Sequence, residues 1–389
     1  MVFLYAIPKA MTRRSLRTAL GQVFLVTAIC LASIEVALRL QQAVGPLYDL
    51  EARNVDLDWY SNEVNHKPRP HETSRFTGRQ TYGDLDGFAY TETYDERGIR
   101  QPVTRLTEEG CTRQASLLFL GDSFIMGYDN AHTVPNLTAH RLRDDYHVCV
   151  TAYNAGYSSY APAIFVPLAR RLVPALRPDY VIVDIDETDL ADDVYRYDSL
   201  ITRNAKGENV GVKASPPLYA FSAGLIEMRG HWLYLHRLID KLWLTRVTVP
   251  RLQRERPVPD LFVVARDHDP QAVQKHAGEL AIFERNIAEL IGVIRQSVSA
   301  DRIVFIAHPH LEHLLPATDA RHWNDIVRSS VAKVATAHGA LFFDSTPELA
   351  QHFAGRPQDY YLNGDIHFNF RGMGEYADAV ADFLAGILR

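Results

Sequence analysis

From residue 115 onward, short apolar runs alternate with helix-length stretches, and this alternation restricts the fold more than any other feature of the chain. Buried strands of a parallel sheet are almost continuous apolar runs, because helices cover both faces of the sheet. We predict strands at Ser116 to Leu120, His147 to Ala152, Tyr180 to Asp184, Arg302 to Ala307 and Ala340 to Phe343. Helices are predicted at Ala161 to Leu176, Gln271 to Ser297, Trp323 to Ala337 and Met373 to Leu388. The pattern indicates an α/β fold built on a parallel sheet.

Composition excludes several classes of protein. With 47% hydrophobic and 23% charged residues, the 389 residues suit one large globular domain or a domain with appendages. The net charge of -6 argues against a nucleic-acid-binding protein that works by neutralising phosphates. Three cysteines without a Cys-x-x-Cys pair exclude a disulfide scaffold. Cys111 and Cys149 border adjacent predicted strands, so a disulfide and two buried thiols are both open.

The N-terminus carries a membrane signal. Residues 1 to 34 hold no Asp or Glu, but Lys9, Arg13, Arg14 and Arg17 precede an apolar run that spans 21 residues from Thr18 to Leu38. A helix needs about 20 such residues to cross the hydrocarbon core. Since basic flanks stay cytoplasmic, we predict a single-pass inner-membrane protein whose later residues face the periplasm. A cleaved signal peptide is the alternative, and it lacks an Ala-x-Ala site; a buried core helix is disfavoured by the clustered basic residues.

Three regions follow from these patterns: a cytoplasmic tail and anchor at 1–40, a β-rich lead-in at 41–110, and a main domain at 111–389. The strand–helix alternation stops at about 195–269, which we interpret as an insertion. It contains a loop or hairpin at Asn204 to Val212 and a helix-like segment at Leu225 to Arg256. The insertion is a substrate cleft or lid, a packing subdomain, or, given Trp232 and Trp243, a segment that lies against lipid.

A serine follows the first predicted strand in Gly121-Asp122-Ser123. Open α/β sheets collect ligands at the carboxyl ends of their strands, so Ser123 is the candidate nucleophile. The Ser123 amide is also placed to face a developing oxyanion. The alternative is that Asp122 or Ser123 merely caps a helix.

A serine nucleophile needs a base, and Asp365-Ile366-His367 near the C-terminus supplies one. Asp365 would set the tautomer of His367, and His367 would accept the proton of Ser123. His308, His310 and His313 lie on another sheet-edge loop, so a histidine alone decides nothing.

Two further loops complete the candidate site. Asn154-Ala155-Gly156 follows the second strand, and the Gly156 amide is a candidate oxyanion donor. After the third strand, the Thr188 hydroxyl is a candidate third donor, although it reaches less far than a side-chain amide. A strand-to-helix turn is the simpler interpretation of the glycine.

These elements together resemble the SGNH family, also called GDSL-type hydrolases, from about residue 94 to the end. Gly121-Asp122-Ser123 is similar to its first block, Asn154-x-Gly156 to its second, and Asp365 with His367 to its last. The resemblance implies a flavodoxin-like α/β/α three-layer sheet, ester chemistry through the catalytic residues Ser123, His367 and Asp365, and an oxyanion hole at Ser123, Gly156 and Thr188. It places Asn154 and Asp122 in substrate binding. It implies no cofactor and no metal. The stretch from Tyr94 to Arg100 also resembles the lead-in of membrane-anchored bacterial members.

Two positions depart from the family pattern. The third block usually reads Gly-x-Asn-Asp, whereas this chain has Asp186-Glu187-Thr188-Asp189, without the asparagine that donates to the oxyanion. Loss of one such donor costs about 10²–10³ in turnover. In the last block, Asp365 stands two residues before His367 instead of three, with Gly364 at the usual place.

Six acidic residues follow the third strand: Asp184, Asp186, Glu187, Asp189, Asp192 and Asp193. Carboxylates suit a divalent cation, but the run lacks the spacing and glycine of an EF-hand. We interpret it as a solvated face or a sugar-binding rim.

The sequence thus predicts a membrane-anchored serine esterase acting on acyl esters, O-acetyl groups in particular, of a cell-envelope glycan or a related small ester. Transfer of the acyl group to a glycan hydroxyl and a non-catalytic glycan-binding or assembly protein on the same fold are the alternatives. Substrate and inner membrane are the expected partners, nucleic acid is not, and protein partners are not identified by the sequence.

Overall fold

The computed structural model describes residues 13–44, 50, 58–61, 63–68, 73–77, 89–106, 110–255, 272–315 and 320–388. Lys9 of the basic flank and the end of the predicted insertion, 256–269, lie outside the described residues. The chain divides into two compact units, Met1–Val55 with Ala220–Arg254, and Asp56–Tyr219 with Glu255–Arg389. The boundaries predicted for the anchor, lead-in and insertion stay predictions.

The strands are described first. In chain order they are β1 Asp58–Tyr60, β2 His66–Pro68, β3 Thr73–Thr77, β4 Ala89–Tyr94, β5 Arg100–Gln101, β6 Thr104–Arg105, β7 Arg113–Leu120, β8 Val148–Asn154, β9 Tyr180–Ile185, β10 Ile201–Arg203, β11 Asn209–Val212, β12 Ile303–Ala307 and β13 Leu341–Asp344.

The α-helices follow the same numbering. They are α1 Arg13–Val44, α2 Ser123–Met126, α3 Val134–Tyr146, α4 Pro162–Leu176, α5 Thr188–Ala191, α6 Pro216–Gly230, α7 Tyr234–Trp243, α8 Val249–Glu255, α9 Ala272–Lys275, α10 Ala277–Ile294, α11 Leu311–Leu314, α12 Ala320–Ala337, α13 Thr346–His352 and α14 Phe370–Ile387.

The central sheet has six strands in the order β13-β12-β9-β7-β8-β6. Five are parallel, and β6 joins the edge antiparallel to β8. Counted along the chain, the parallel strands run 5-4-3-1-2, which is the flavodoxin-like order. All five predicted strands are confirmed, as is the α/β fold. The predicted helix at 271–297 is divided at His276 into α9 and α10.

Alternating residues of the strands face two separate apolar layers. Leu118 and Leu120 of β7 pack in one cluster with α4, α10 and α12. Leu117 and Phe119, the residues between them, pack in a second cluster with α3 and α14. Because successive side chains of a strand point to opposite faces of the sheet, the two alternating sets of β7 residues are buried in different layers. The resulting three-layer arrangement accounts for strands that are apolar throughout.

Strands outside the central sheet lie in the predicted lead-in and insertion. β3, β4 and β5 form an antiparallel sheet. β10 and β11 form a hairpin that begins three residues before the predicted Asn204 to Val212 region and ends with it. Cys111 and Cys149 are joined in a disulfide with a Cα–Cα distance of 5.7 Å. The free-thiol alternative for this pair is therefore not the one found.

The unit formed by Met1–Val55 and Ala220–Arg254 contains the N-terminal apolar helix. Within α1, Arg17–Gln42 is long and apolar enough to span a membrane, and it is the one helix of the described part of the chain with that property. The Glu35 carboxylate accepts hydrogen bonds from the Tyr234 and Leu235 amides at the start of α7 (3.1 and 2.9 Å). The Arg39 guanidinium lies 5.2 Å from the ring centroid of Trp232. These contacts hold α7 against α1.

A buried ion pair ties β4 and β5 to the loop after α2. Arg100 Nη1 lies 3.1 Å from Glu92 Oε2, and the two side chains are 2% and 4% exposed. The same guanidinium donates to the carbonyl oxygens of Met126 (2.9 Å) and Tyr128. Removing one partner of a buried pair leaves an uncompensated charge, which costs more than the pair contributes.

We therefore expect Arg100→Met to lower the free energy of unfolding by about 3–5 kcal/mol, because Glu92 remains buried without its cation. The control is Arg97→Met, since the Arg97–Asp95 pair has an arginine that is 43% exposed and should change stability by at most about 1 kcal/mol. Denaturant unfolding of the detergent-purified full chain measures both. Equal effects of the two substitutions would contradict the role assigned to Arg100.

Candidate active site

The sequence-predicted loops meet at the carboxyl edge of the sheet, where the strand order reverses between β7 and β9. Ser123 follows β7, Gly156 follows β8, and Thr188 follows β9. Ligands of open α/β sheets bind at such a reversal, since the connections on either side diverge and leave a crevice. The topology therefore places the candidate residues where a site is expected.

Local geometry divides the roles of Asp122 and Ser123. Asp122 Oδ1 accepts a hydrogen bond from the Phe124 amide (2.8 Å) and caps α2. A Cβ at Gly121 would overlap the Ile125 side chain, so the tight turn requires a glycine here. The capping alternative thus holds for Asp122, which is 7% exposed. The Ser123 hydroxyl lies 3.5 Å from Asp122 Oδ2 and closer, at 2.7 Å, to His367 Nε2.

Ser123, His367 and Asp365 form a continuous chain of hydrogen bonds. His367 Nε2 lies 2.7 Å from Ser123 Oγ, and His367 Nδ1 lies 2.5 Å from Asp365 Oδ1. An ionised Asp365 accepts a hydrogen bond from Nδ1–H, which leaves the Nε2 lone pair to accept a hydrogen bond from the serine hydroxyl. Ser123 and His367 stand 244 residues apart in the chain. The fold brings together the three residues that the sequence proposed as a catalytic set.

The short Asp-x-His spacing has a structural reason. Asp365 Oδ1 also accepts the backbone N–H of His367 at 3.0 Å, which closes an Asx-turn over the two residues. One carboxylate oxygen therefore orients both the backbone and the ring of His367. Burial raises the pKa of Asp365, but the hydrogen bond and charge of His367 outweigh it, so the pKa lies below its usual value. Asp365 is consequently ionised at neutral pH.

Two aromatic contacts hold the histidine loop in place. The Phe124 ring stacks on the His367 imidazole with centroids 5.0 Å apart. The Tyr128 hydroxyl donates to the carbonyl oxygen of Phe368 at 2.5 Å. Phe124 of α2 and Tyr128 of the loop after it thus both contact the loop that carries His367.

The predicted oxyanion donors differ in their hydrogen bonds. The Gly156 amide donates to Asn154 Oδ1 (3.0 Å), and Asn154 Nδ2 donates to the carbonyl oxygen of Ile125 (2.8 Å). Asn154 is 6% exposed, so it braces the two loops from within. Within the described part of the chain, no residue accepts a hydrogen bond from the Ser123 amide. The roles of Ser123 and Gly156 toward an oxyanion, and of Asn154 and Asp122 toward substrate, stay predictions.

Thr188 is directed at a neighbouring carboxylate. Its amide and its hydroxyl donate to Asp186 Oδ1 at 2.7 and 2.6 Å, and the Asp189 amide donates to the same oxygen at 3.3 Å. As the chain stands, both Thr188 donors orient Asp186. Its role as a third oxyanion donor also stays a prediction.

The interpretation of the acidic run as a solvated face or rim is wrong. Its six carboxylates are between 0% and 6% exposed. Buried polar groups need hydrogen-bond partners, and Asp193 has two. Asp193 Oδ1 accepts the Ala163 amide (2.6 Å) and its Oδ2 accepts the Asn286 side chain (2.9 Å). The one-dimensional run of acids gave no sign of these partners, which come from distant segments.

Histidines of the loop after β12 face the acidic run. His310 Nε2 lies 2.8 Å from Asp186 Oδ2, and His313 Nε2 lies 2.8 Å from Glu187 Oε2. Burial lowers the pKa of His310, but the charges of Asp186 and Glu187 outweigh it and raise the pKa well above its usual value. Sequence reasoning noted these histidines and missed their carboxylate partners. The available signal was a His-x-His-x-x-His spacing at one strand end and acids at the next.

Comparisons with known proteins give structural similarity alone. No protein-family model matches the sequence, and no curated protein does. An acetylxylan esterase from Geobacillus stearothermophilus, solved as a catalytic mutant, aligns at 14% identity and a TM-score of 0.41, covering 71% of this chain and 95% of its own. An alpha/beta hydrolase enzyme from the metagenome of Lake Arreo, Spain, aligns at 16% identity and a TM-score of 0.39, covering 71% and 96%. A two-domain esterase active on acetylated mannans aligns at 11% identity and a TM-score of 0.38, covering 71% and 50%.

Asp193 predicts a pH dependence of stability. Burial raises the pKa of Asp193 to about 8, and the charges of Asp192 and Asp198 add to this. The unfolded chain ionises near its usual value of about 3.9, so the folded state keeps the proton over the interval between the two values. The stability contributed by protonated Asp193 is therefore complete below pH 4 and declines as the pH rises to about 8.

Asp193→Asn should flatten that decline, since the amide keeps the neutral form at every pH. The free energy of unfolding, measured between pH 5 and pH 8.5 on the full chain, tests this. Asp198→Asn is the matched control, because Asp198 is 35% exposed and paired with Arg285. A pH slope that is the same in Asp193→Asn as in the unaltered protein would refute the prediction.

Proposed function

We propose that this protein is a serine esterase that acts through Ser123, His367 and Asp365. The observation that carries the proposal is the hydrogen-bonded chain from Asp365 Oδ1 through both ring nitrogens of His367 to Ser123 Oγ. Side chains that occur in this order form the nucleophile, general base and orienting carboxylate of acyl-transfer sites on unrelated folds. The SGNH-type assignment rests on the motifs at Gly121, Asn154 and His367.

In the first half of the proposed reaction, Ser123 Oγ attacks the ester carbonyl carbon while His367 Nε2 takes the hydroxyl proton. The imidazolium that forms is stabilised by ionised Asp365. The tetrahedral intermediate then expels the alcohol, which takes the proton from His367, and an acyl-Ser123 ester remains. The Ser123 amide faces the oxyanion, together with the Gly156 amide once the substrate oxygen shares that donor with Asn154.

In the second half, an acceptor hydroxyl attacks the acyl-Ser123 carbonyl as His367 Nε2 removes its proton. The proton returns to Ser123 Oγ as the acyl group leaves. Water as acceptor gives hydrolysis, and a sugar hydroxyl gives transfer. We propose hydrolysis of O-acetyl esters on a cell-envelope glycan, a substrate class that follows from the compartment and from the family resemblance.

Ser123→Ala should abolish covalent labelling by a fluorophosphonate probe and hydrolysis of a chromogenic acetate ester. Asp365→Asn should lower kcat by about 10⁴-fold, because the base loses its tautomer. His367→Ala should lower kcat by about 10⁶-fold, because Ser123 loses its base. Peptide mass spectrometry of the labelled, detergent-purified chain identifies the labelled residue. Acetyl release with and without an added glycan separates hydrolysis from transfer.

The matched control is His352→Ala. His352 Nδ1 lies 3.1 Å from Glu375 Oε2, so it is a histidine–carboxylate pair without a serine on its other nitrogen. Labelling and turnover should be unchanged by this substitution. Labelling of Ser123 that survives His367→Ala would sink the proposed mechanism.

A second candidate function is a catalytically weak glycan-binding or assembly protein on the same fold. It is favoured by the donors of Thr188 and Gly156, which are bonded to Asp186 and Asn154. A protein that binds an acetylated glycan, that hydrolyses no ester and whose cellular phenotype survives Ser123→Ala would be this one.

We also propose that α1 is an uncleaved, single-pass anchor in the inner membrane, with the Ser123 site in the periplasm. The apolar helix and the basic residues that precede it support the orientation. The Cys111–Cys149 disulfide is consistent with an oxidising compartment. Trp232 and Trp243 are 79% and 64% exposed in the same compact unit as α1, which suits contact with the membrane surface.

Cysteine labelling tests the orientation. In a Cys30→Ser background, Lys206→Cys places a thiol on an exposed loop and Ser15→Cys places one at the cytoplasmic end of α1. In spheroplasts of a Gram-negative host, a membrane-impermeant maleimide should label residue 206 at once and residue 15 only after lysis. The opposite labelling pattern would show that the orientation is reversed. A purified chain whose mass lacks the first 40 residues would show that the helix is cleaved off.

A further inference from the structure

Beneath the Ser123 site, three buried side chains point one ligand atom each at a common point. One ligand atom from each of Asp186, His308 and His310 lies within 4.8 Å of the other two. We call these residues the metal cluster. Their side chains are 1%, 0% and 1% exposed, so the cluster belongs to the interior behind the triad and not to its surface.

The second nitrogen of each histidine faces another carboxylate. His308 Nδ1 lies 3.2 Å from Asp184 Oδ1, and His310 Nδ1 lies 3.1 Å from Glu187 Oε1. Histidines that bind metals nearly always donate their other N–H in this way, because the carboxylate sets the tautomer and raises the basicity of the ligating nitrogen. The pattern here occurs twice around one point.

His308 Nε2 is the most direct indication that the cluster binds a cation. Among the described residues it has no hydrogen-bond partner, although it is buried. With its proton on Nδ1 toward Asp184, Nε2 presents a lone pair to Asp186 Oδ2 at 3.9 Å. A lone pair and a carboxylate oxygen repel in a buried setting unless a positive charge lies between them.

Asp186 is held so that one oxygen stays available to the cluster. Its Oδ1 accepts the Thr188 amide and hydroxyl, which fixes the carboxylate plane. Its Oδ2 then lies 2.8 Å from His310 Nε2 and 3.9 Å from His308 Nε2. Ligands at about 2.0–2.1 Å from a tetrahedral Zn²⁺ stand about 3.3 Å apart, a separation that these two distances bracket.

We propose that Asp186, His308 and His310 bind a divalent transition-metal ion, Zn²⁺ in the first instance. Two imidazoles and one carboxylate favour Zn²⁺ over Ca²⁺ or Mg²⁺, which prefer oxygen ligands. Asp184 and Glu187 orient the two histidines. The sequence predicted no metal, and this inference replaces that expectation.

The ion has a positioning role toward the proposed esterase site. The Phe124 ring packs on His308 and His310, with centroids 3.9 and 5.5 Å away, and stacks on His367. Phe124 directly follows Ser123 in α2. Fixing the two histidines therefore fixes the surface on which the nucleophile and its base rest.

A bound proton is the competing explanation. An imidazolium at His310, paired with Asp186 and Glu187, would satisfy those two carboxylates without a metal. It would leave His308 Nε2 without a partner. The two explanations differ in whether the purified protein holds a stoichiometric ion.

The test uses the full chain, purified in detergent without a histidine tag, stripped with a chelator and titrated with Zn²⁺ against a chromophoric chelator. We expect one tightly bound Zn²⁺ per chain, and visible bands of tetrahedral coordination on loading with Co²⁺. His308→Gln and His310→Gln should abolish the bands. Asp184→Asn, a nearly isosteric change outside the ligand set, should weaken Zn²⁺ binding about 10–100-fold.

The matched control is His236→Gln. His231, His236 and Asp240 also form a possible metal-binding group, but a partly exposed one outside the site. Binding that is unchanged in this variant and lost in His308→Gln supports the proposal. Absence of Co²⁺ bands in the unaltered protein, bands that persist in a folded His308→Gln chain, or binding that disappears in His236→Gln would overturn it. Thermal unfolding of each variant verifies its fold, and the readout is independent of esterase activity.

Discussion

The hydrogen bond between Ser123 and His367 depends on where α14 packs. This helix buries its apolar side, through residues such as Tyr376, Val380 and Leu384, in the layer that it shares with α3 and one face of the central sheet. The loop ahead of it therefore arrives at the carboxyl end of β7, within 2.7 Å of the serine hydroxyl. The Tyr376 hydroxyl adds a bond to Asp184 Oδ1 at 2.7 Å, which couples α14 to the end of β9. Core packing thus sets the distance between Ser123 and His367.

The same edge of the sheet carries an unusual amount of buried charge. Desolvation raises the pKa values of Asp122 and Asp189 well above their usual range, with the charge of Asp186 as the next cause. Asp186 escapes this because the charge and hydrogen bond of His310, together with the hydrogen bond of Thr188, lower its pKa despite burial. Mutual repulsion among carboxylates at one strand end is tolerable only where a proton or a cation offsets it. A metal ion at Asp186 would reduce that repulsion at its centre.

Sequence reasoning reached the main sheet because each of its parallel strands is an apolar run, and an apolar run of that length has few other places in a fold. The sequence also predicted that Ser123, Asp365 and His367 come together, and hydrogen bonds join them in the structure. Their catalytic role stays a prediction. Sequence reasoning did not reach β6, since two residues at a sheet edge leave no periodic pattern.

It misjudged the acidic run for a different reason. Solvation was inferred from local composition, whereas burial was decided by His308 and His310, which lie 124 residues from the acids they contact. A pairing between strand ends is set by sheet order, and sheet order depends on the packing of whole helices. Arg100 has the same character, because Glu92 and the carbonyl oxygens it contacts become neighbours only in the folded chain.

Thr188 is relevant to both proposals, the esterase site at Ser123 and the metal cluster. Its position corresponds to the asparagine that SGNH-type sites use toward the oxyanion, yet here its amide and hydroxyl both fix Asp186. Because both Thr188 donors bond to Asp186 Oδ1, Asp186 Oδ2 is left to face His308 Nε2 and His310 Nε2 at 3.9 and 2.8 Å. Under the two proposals, Thr188 orients a carboxylate ligand of the metal ion at the position where SGNH-type sites place an oxyanion donor. Under the same proposals, the rigid support beneath Ser123 and the weaker oxyanion hole have one cause, which is the bonding of both Thr188 donors to Asp186.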